Sequence, residues 1–311
     1  MTKWISSSGK PLIDNRNWKI YNEELVRHGE FLLDYEWITK NWKIELEKMN
    51  KEKVGRKFQF PESLIKLQAV WHQLIDYREI EGITRVVVAT AQLPGFNDYS
   101  TINRRVNKLE VDFQLPKQKF VSIATDGTGM LLNNSGEYLR DKHGNKSRKK
   151  WIRVTISANP LTKELLACDV SLEGNGLSEP QSAKQHIQNL IKHGKIINKF
   201  WGDGAFYVKE LFNLLELHKI ESAIKIHKNA RSESRGSMRK AREVREYKSK
   251  GYEKWARDKD YGTRWLGTEV KFSAIKRKFG EKIRSRKIKN ALKEAKRRIW
   301  AYEEIRRYAK A

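Results

Sequence analysis

Phe120-Val-Ser-Ile-Ala-Thr-Asp126-Gly127 decides how this chain is read. The run is short, rich in apolar and β-branched residues, and stopped by glycine. That pattern predicts a buried strand with an aspartate at its carboxyl end. Downstream, Trp151-Ile-Arg-Val-Thr-Ile-Ser157 alternates as a half-buried strand should, and Glu164 to Ser171 is expected as its hairpin partner. A charged turn containing Gly144, Arg140 to Lys150, precedes this pair. Residues 183–193 carry Ile187, Leu190 and Ile191 at helical spacing, and Ile196 to Trp201 reads as another strand, ending at Gly202-Asp203-Gly204. A helix from Val208 to His218 and a strand from Ile220 to Ile226 follow. Strand, hairpin, helix, strand, helix, strand is the order of a mixed α/β sheet with helices packed on it.

Upstream, residues 1–115 read as a mainly helical N-terminal domain. Tyr21 to Trp42 has a rough helical periodicity, and Ser63 to Tyr77 repeats it with Leu64, Ile65, Leu67, Val70, Trp71, Leu74 and Ile75, started by Pro61-Glu62. After an apolar segment, Gly82 to Ala91, comes the breaker Leu93-Pro94-Gly95. Asp98 or Ser100 is then a candidate cap for a helix bearing Ile102, Arg104, Arg105, Val106 and Leu109. A helix, a short Pro/Gly turn and a helix with adjacent arginines fits a helix-turn-helix DNA reader. It fits an ordinary helical hairpin with solvated arginines equally well. Beyond the sheet, residues 227–261 look like a basic insertion with almost no apolar periodicity. Residues 262–285 return to apolar spacing, and 286–311 read as a basic C-terminal helix.

The whole chain has 311 residues and 64 Lys+Arg against 38 Asp+Glu, a formal charge of +26. Such an excess on a chain with 39% hydrophobic residues and 10 Trp points to a folded protein with a polyanionic partner, nucleic acid first. Nothing approaches the roughly 20 apolar residues of a membrane span, so no membrane partner is expected. No apolar core follows Met1, so no secretory signal is expected, and the single cysteine, Cys168, excludes a disulfide framework and any Cys-based zinc site. The expected location is therefore the cytoplasm, on the nucleoid.

Chemistry is expected at two acids set against glycines, Asp126 in Thr-Asp-Gly and Asp203 in Gly-Asp-Gly. An acid at the carboxyl end of a central strand points into the crevice where open α/β sheets bind ligands; it can equally be a turn former or a helix cap. The third element is Tyr261-Gly-Thr-Arg264-Trp-Leu-Gly-Thr-Glu269, continuing to Lys276. At 100° per residue Phe272, Ile275, Phe279 and Ile283 form one apolar stripe, and Glu269 and Lys276 share an edge of it. Three carboxylates far apart in sequence suit two-metal phosphoryl chemistry, in which hard magnesium ions take oxygen ligands. The histidines, among them His143, His186, His193, His218 and His227, show no metal spacing.

These residues resemble the DDE transposases of the insertion-sequence 4/5 superfamily, closest to the insertion-sequence 5 branch. The family signature is Tyr, two residues, Arg, three residues, Glu, six residues, Lys. Here the spacings are two, four and six, with one extra residue between Arg264 and Glu269. The segment Leu93 to Arg105 and the helix after Glu269 are similar to the same branch, so the resemblance spans residues 60–285. It implies an RNase H-like catalytic fold with Asp126, Asp203 and Glu269 as catalytic and metal-binding residues. Two Mg2+ or Mn2+ ions are implied, with Tyr261, Arg264 and Lys276 on DNA near the cut. The partners implied are double-stranded DNA, as element terminal inverted repeats and target, and a second copy of the chain in a homodimer. The alternatives are an RNase H-like nuclease or resolvase using the same acids, and a non-catalytic DNA-binding protein.

Overall fold

The computed structural model describes residues 17–132, 151–233 and 236–310. The segment after Met1, the turn expected at 140–150 and His143 lie outside the described residues.

Five helices come first: α1 (Trp18–Glu30), α2 (Glu36–Asn50), α3 (Glu62–Trp71), α4 (Tyr77–Thr90) and α5 (Tyr99–Lys108). The run expected from Tyr21 to Trp42 is broken by a 3-10 turn at Phe31–Leu33. Asp98 caps α5, accepting from the amides of Ser100 and Thr101 at 2.9 Å each.

The sheet contains β1 (Phe120–Leu132), β2 (Trp151–Ala158), β3 (Leu165–Leu172), β4 (Ile196–Gly202) and β5 (Glu221–Ile224) in the order β3-β2-β1-β4-β5. A two-residue strand, β6 (Lys282–Ile283), pairs in parallel with the far end of β1 at Leu131 and Leu132. β1 pairs with β2 antiparallel and with β4 parallel, so the sheet is mixed, as expected. Between β3 and β4 runs α6 (Glu179–Lys192), and α7 (Lys209–Leu217) links β4 to β5.

β1 departs from its expected end. It does not stop at Gly127 but continues to Leu132, because β2 pairs with it residue for residue from Ala124 to Leu131. The parallel partner β4 stays only to Ala124, opposite Trp201. Beyond that pair β1 has lost its neighbour on one side, and a fork opens between the two strands.

Side chains alternate across the sheet. Val121 and Ile123 pack on one face with Ile187 of α6 and Leu211, Phe212 and Leu215 of α7. On the other face Met130, Ile152, Val154 and Ile156 share a core with α3 to α5 and with α11 (Ile288–Lys310).

The latter helix is the basic segment expected at 286–311, and it is far from a solvated rod. Ala291, Ala295, Ile299, Ala301 and Ile305 are buried, and so are Glu294, Arg297 and Arg298. Glu294 accepts the amides of Arg284 and Ser285 at 2.9 Å each. Arg298 donates to the carbonyls of Gly280 and Lys282 at 2.9 and 3.1 Å. These bonds fasten the 280–285 segment, including β6, to α11.

Two further readings change. The segment 227–261 contains α8 (Met238–Asp258), which is bent at Gly251 (φ 72) and buries Ala241, Val244 and Trp255. The apolar stripe expected to run through Ile283 ends earlier. The helix α10 (Glu269–Phe279) stops where Gly280 turns to φ 78, and Ile283 reaches the core from β6 instead.

Candidate active site

Register puts the first two acids level with each other. Asp126 lies two residues past the last β1–β4 pair on one strand, and Asp203 two past it on the other. Both therefore line the fork where ligands of open α/β sheets bind. The third acid arrives from the opposite end of the chain. A short helix α9 (Arg264–Gly267) docks on β1 through Gly267, where a Cβ would come within 3.3 Å of the Ala124 Cβ and 3.2 Å of Pro160. Only glycine allows this approach without a shift, and α10 then starts with Glu269.

The Asp126 carboxyl is pushed up to about 6. Burial is the main cause, and the charges of Asp203 and Glu269 add to it, against the Gly127 amide and the Arg264 guanidinium, which favour the ionised form. Asp126 thus lies within the electrostatic reach of both Asp203 and Glu269. Each also has a local contact. Asp126 Oδ1 accepts from the Gly127 amide at 2.8 Å, Asp203 Oδ1 accepts from the Ala205 amide at 2.8 Å, and Glu269 pairs with Arg264 at 3.4 Å.

Arg264 leans over the rings of Tyr261 and Trp265, 5.0 and 5.2 Å from their centroids. Tyr261 is only 4% exposed, and its hydroxyl donates to the Gly202 carbonyl at 3.4 Å. Its phenol therefore braces the end of β4 from inside, with little surface left for any other partner. Lys276, two turns along α10 from Glu269, is paired with Glu281 at 3.4 Å. Arg104 and Arg105 lie elsewhere, on α5. Arg104 is exposed, while Arg105 sits over the Phe58 ring at 4.6 Å and donates to the Phe60 carbonyl.

The two flanking glycines do something the sequence did not reveal. A Cβ on Gly127 would come within 2.3 Å of Glu179 Oε1, and one on Gly204 within 3.3 Å of the His227 ring. Each glycine thus admits a protein side chain beside its aspartate. Glu179 is a neighbour of the fork that sequence reasoning did not single out. Its only signal was an acid in the first turn of the helix following the hairpin, which usually marks a favourable helix dipole.

Beneath β1, Thr125 Oγ1, Ser157 Oγ and His186 Nδ1 form a buried chain at 2.7 and 2.8 Å, and burial pushes His186 down to about 4. This histidine is a satisfied core residue, as its lack of metal spacing implied.

Among the described residues, no three His, Cys, Asp or Glu side chains converge as a cage for one ion. The acids at the fork are an all-oxygen set suited to magnesium or manganese rather than to softer metals. Among the described residues no helix is long and apolar enough to cross a membrane.

Comparison with known proteins gives the family. Residues 118–303 match a family described as the transposase DDE domain, and residues 26–135 match a second family of the same description. Among solved structures, a chain in the simian T-cell lymphotropic virus intasome bound to PP2A regulatory subunit B56 gamma is 12% identical. The match covers 61% of this chain and 67% of that one, at a TM-score of 0.23, too low to equate the two folds. The first match contains β1 to β6, all three acids and most of α11, well over half the residues, and the chain belongs to the transposase DDE domain family.

Proposed function

We propose that this protein is a DNA transposase of the insertion-sequence 4/5 superfamily, which cuts element ends and joins the freed 3′-hydroxyl to target DNA. The observation that supports the reading is the level placement of Asp126 and Asp203 at the fork between β1 and β4, with Glu269 near enough to raise the Asp126 carboxyl, within the matched residues. In this reading the sheet is an RNase H-like core, and Asp126, Asp203 and Glu269 are the residues that would hold two Mg2+ or Mn2+ ions. Bound there, such ions would supply Lewis-acid activation of a water or 3′-hydroxyl and stabilisation of the leaving oxygen.

The chain's own residues do the rest. Asp126, half-buried and crowded by like charges, is poised to bind cations once it ionises. Arg264 pairs with Glu269 at 3.4 Å and, on the same edge, would offer its guanidinium to a DNA phosphate. Lys276 on α10 and Arg104 on α5 are further phosphate contacts in this proposal, and Arg105 contributes mainly by fixing α5 against Phe58 and Phe60. Tyr261 holds the carbonyl next to Asp203. The +26 charge supplies sequence-independent affinity for duplex DNA, and cutting two ends in concert calls for a homodimer.

The test is Asp203→Asn. DNA binding should stay near wild type, because it rests on Lys and Arg, while metal-dependent nicking of an element end should vanish. Joining of the nicked end to a second duplex distinguishes a transposase from a nuclease or resolvase. Loss of binding with intact cutting would overturn the assignment.

A further inference from the structure

The open end of the sheet carries charge of both signs. β4 and β5 pair in parallel with Gly202 opposite Ile224, so the next residues, Asp203 and Lys225, stand level on neighbouring strands. Their ladder closes with the Lys225 amide donating to the Gly202 carbonyl at 3.3 Å. Past β5 the chain alternates: Ile224 and Ile226 are buried, while Lys225 and His227 are exposed. A lysine and a histidine therefore continue the crevice on the β5 side of Asp203, at the strand ends where open α/β sheets bind ligands.

Both side chains are held, yet both keep their polar atoms open. Lys225 Nζ lies over the Tyr252 ring of α8, 5.9 Å from its centroid, with no hydrogen bond or ion pair to any described residue. Neighbouring cations differ: Lys199 pairs with Glu221 at 2.9 Å, Arg239 with Glu243 at 3.0 Å and Lys250 with Glu246 at 2.8 Å. His227 packs edge-on against Tyr207, ring centroids 5.0 Å apart, and its ring nitrogens have no hydrogen-bond partner among the described residues. A Cβ on Gly204 would meet that ring at 3.3 Å, so glycine leaves the imidazole its place next to Asp203.

An ammonium without a carboxylate and a ring that offers an N–H suit an anion. Adjacent strands lie about 4.8 Å apart, and a DNA strand advances about 3.4 Å per nucleotide along the duplex axis. A strand whose scissile bond sat at Asp203 would bring a phosphate one or two nucleotides away to Lys225. We propose that Lys225 and His227 bind the DNA backbone beside the bond to be cut, Lys225 as a point charge on a phosphate and His227 as a hydrogen-bond donor that fixes the strand's angle. The proposal rests on the transposase reading above, since it presumes DNA at the fork. Contacts of this kind position the strand and carry no sequence information.

The experiment compares the full wild-type chain with Lys225→Gln, Lys225→Arg, His227→Ala and His227→Gln. The control is Lys192→Gln, in the last turn of α6 ahead of the amino end of β4. Circular dichroism reports folding. Fluorescence anisotropy with a labelled duplex of mixed sequence, chelator present, gives the salt dependence of binding. Nicking of an element-end duplex with Mn2+ gives kcat and KM. Lys225→Gln should lower the slope of log K against log salt by about one, Lys225→Arg should restore it, and Lys192→Gln should leave it at the wild-type value. His227→Ala should lower kcat by about tenfold or more with KM little changed, and His227→Gln, which keeps a donor, should recover most of the loss. A wild-type slope in folded Lys225→Gln, an equal drop in Lys192→Gln, or wild-type kcat in folded His227→Ala overturns the proposal and leaves the transposase reading intact. If Lys225→Gln does not fold, Lys225→Ala is read by the same criterion. A wild type that neither binds the mixed-sequence duplex nor nicks the element end overturns both.

Discussion

Asp126→Asn should make the metal-free protein more stable at pH 8. In the folded chain the Asp126 carboxyl is pushed up from an ordinary 3.8 to about 6, by burial first and then by Asp203 and Glu269. The folded state therefore holds the Asp126 proton more tightly than the unfolded chain does. Stability from the protonated form is complete below pH 3.8 and is lost as the pH rises through about 6. Above that, the ionised group costs the folded state at most about 3 kcal/mol, and about 1–2 kcal/mol after screening of the part that meets water. Asparagine removes the charge and keeps the oxygen that accepts from the Gly127 amide, so the local turn is preserved. Urea unfolding with chelator present, at pH 4, 6 and 8, measures the difference. The asparagine variant should lead by about 1–2 kcal/mol at pH 8, and the lead should shrink towards zero at pH 4. Adding Mn2+ should then stabilise the wild type and leave the variant unchanged. Equal or greater stability of the metal-free wild type at pH 8 would refute the reasoning, because the acids would not then be in electrostatic conflict.

Glu294→Ala should cost about 3–5 kcal/mol in urea unfolding, because it strands the buried Arg298 charge and the amides of Arg284 and Ser285. A loss under 1 kcal/mol would mean that water replaces the carboxylate. Gly267→Val should cost about 1–3 kcal/mol through overpacking against Pro160 and Ala124, and should lower nicking by more than that loss of folded protein explains, since Glu269 moves with α9. DNA binding, followed by fluorescence anisotropy, should fall steeply with salt, and Arg104→Ala should reduce the slope of log K against log salt by about one. A slope unchanged in that variant would remove α5 from the DNA surface.

The sheet was readable because β1, β2, β4 and β5 advertise themselves as apolar, β-branched runs, and a parallel pair naturally carries Asp126 and Asp203 to one crevice. The end of β1 was hidden. Gly127 and Gly129 look like breakers, and only the pairing with β2, with Trp151 lying over Gly129, makes them strand residues. α8 escaped notice because Ala241, Val244 and Trp255 are too few, among so many charges, to make a period. In α11 the charges misled more directly. Glu294, Arg297 and Arg298 read simply as charges of a basic helix, yet they are interior groups, two of them paired with each other. Glu179 could not be found at all without coordinates. Its side chain occupies the volume that Gly127 leaves open, and a gap left by a missing methyl has no sequence period.

The burial of α11 also bears on how the protein is made. Its apolar side covers the sheet face around Met130, Ile152 and Ile156, and its polar grip sets β6 against the end of β1. β1 and β2 leave the ribosome more than a hundred residues before the helix does, and such distant pairing is slow to pay back its loop-closure entropy. Until residues 288–310 have emerged, that side of the nascent sheet stays uncovered. A product whose synthesis halts before them would keep Asp126, Asp203 and Glu269 in its sequence yet lack the support that holds their frame in register.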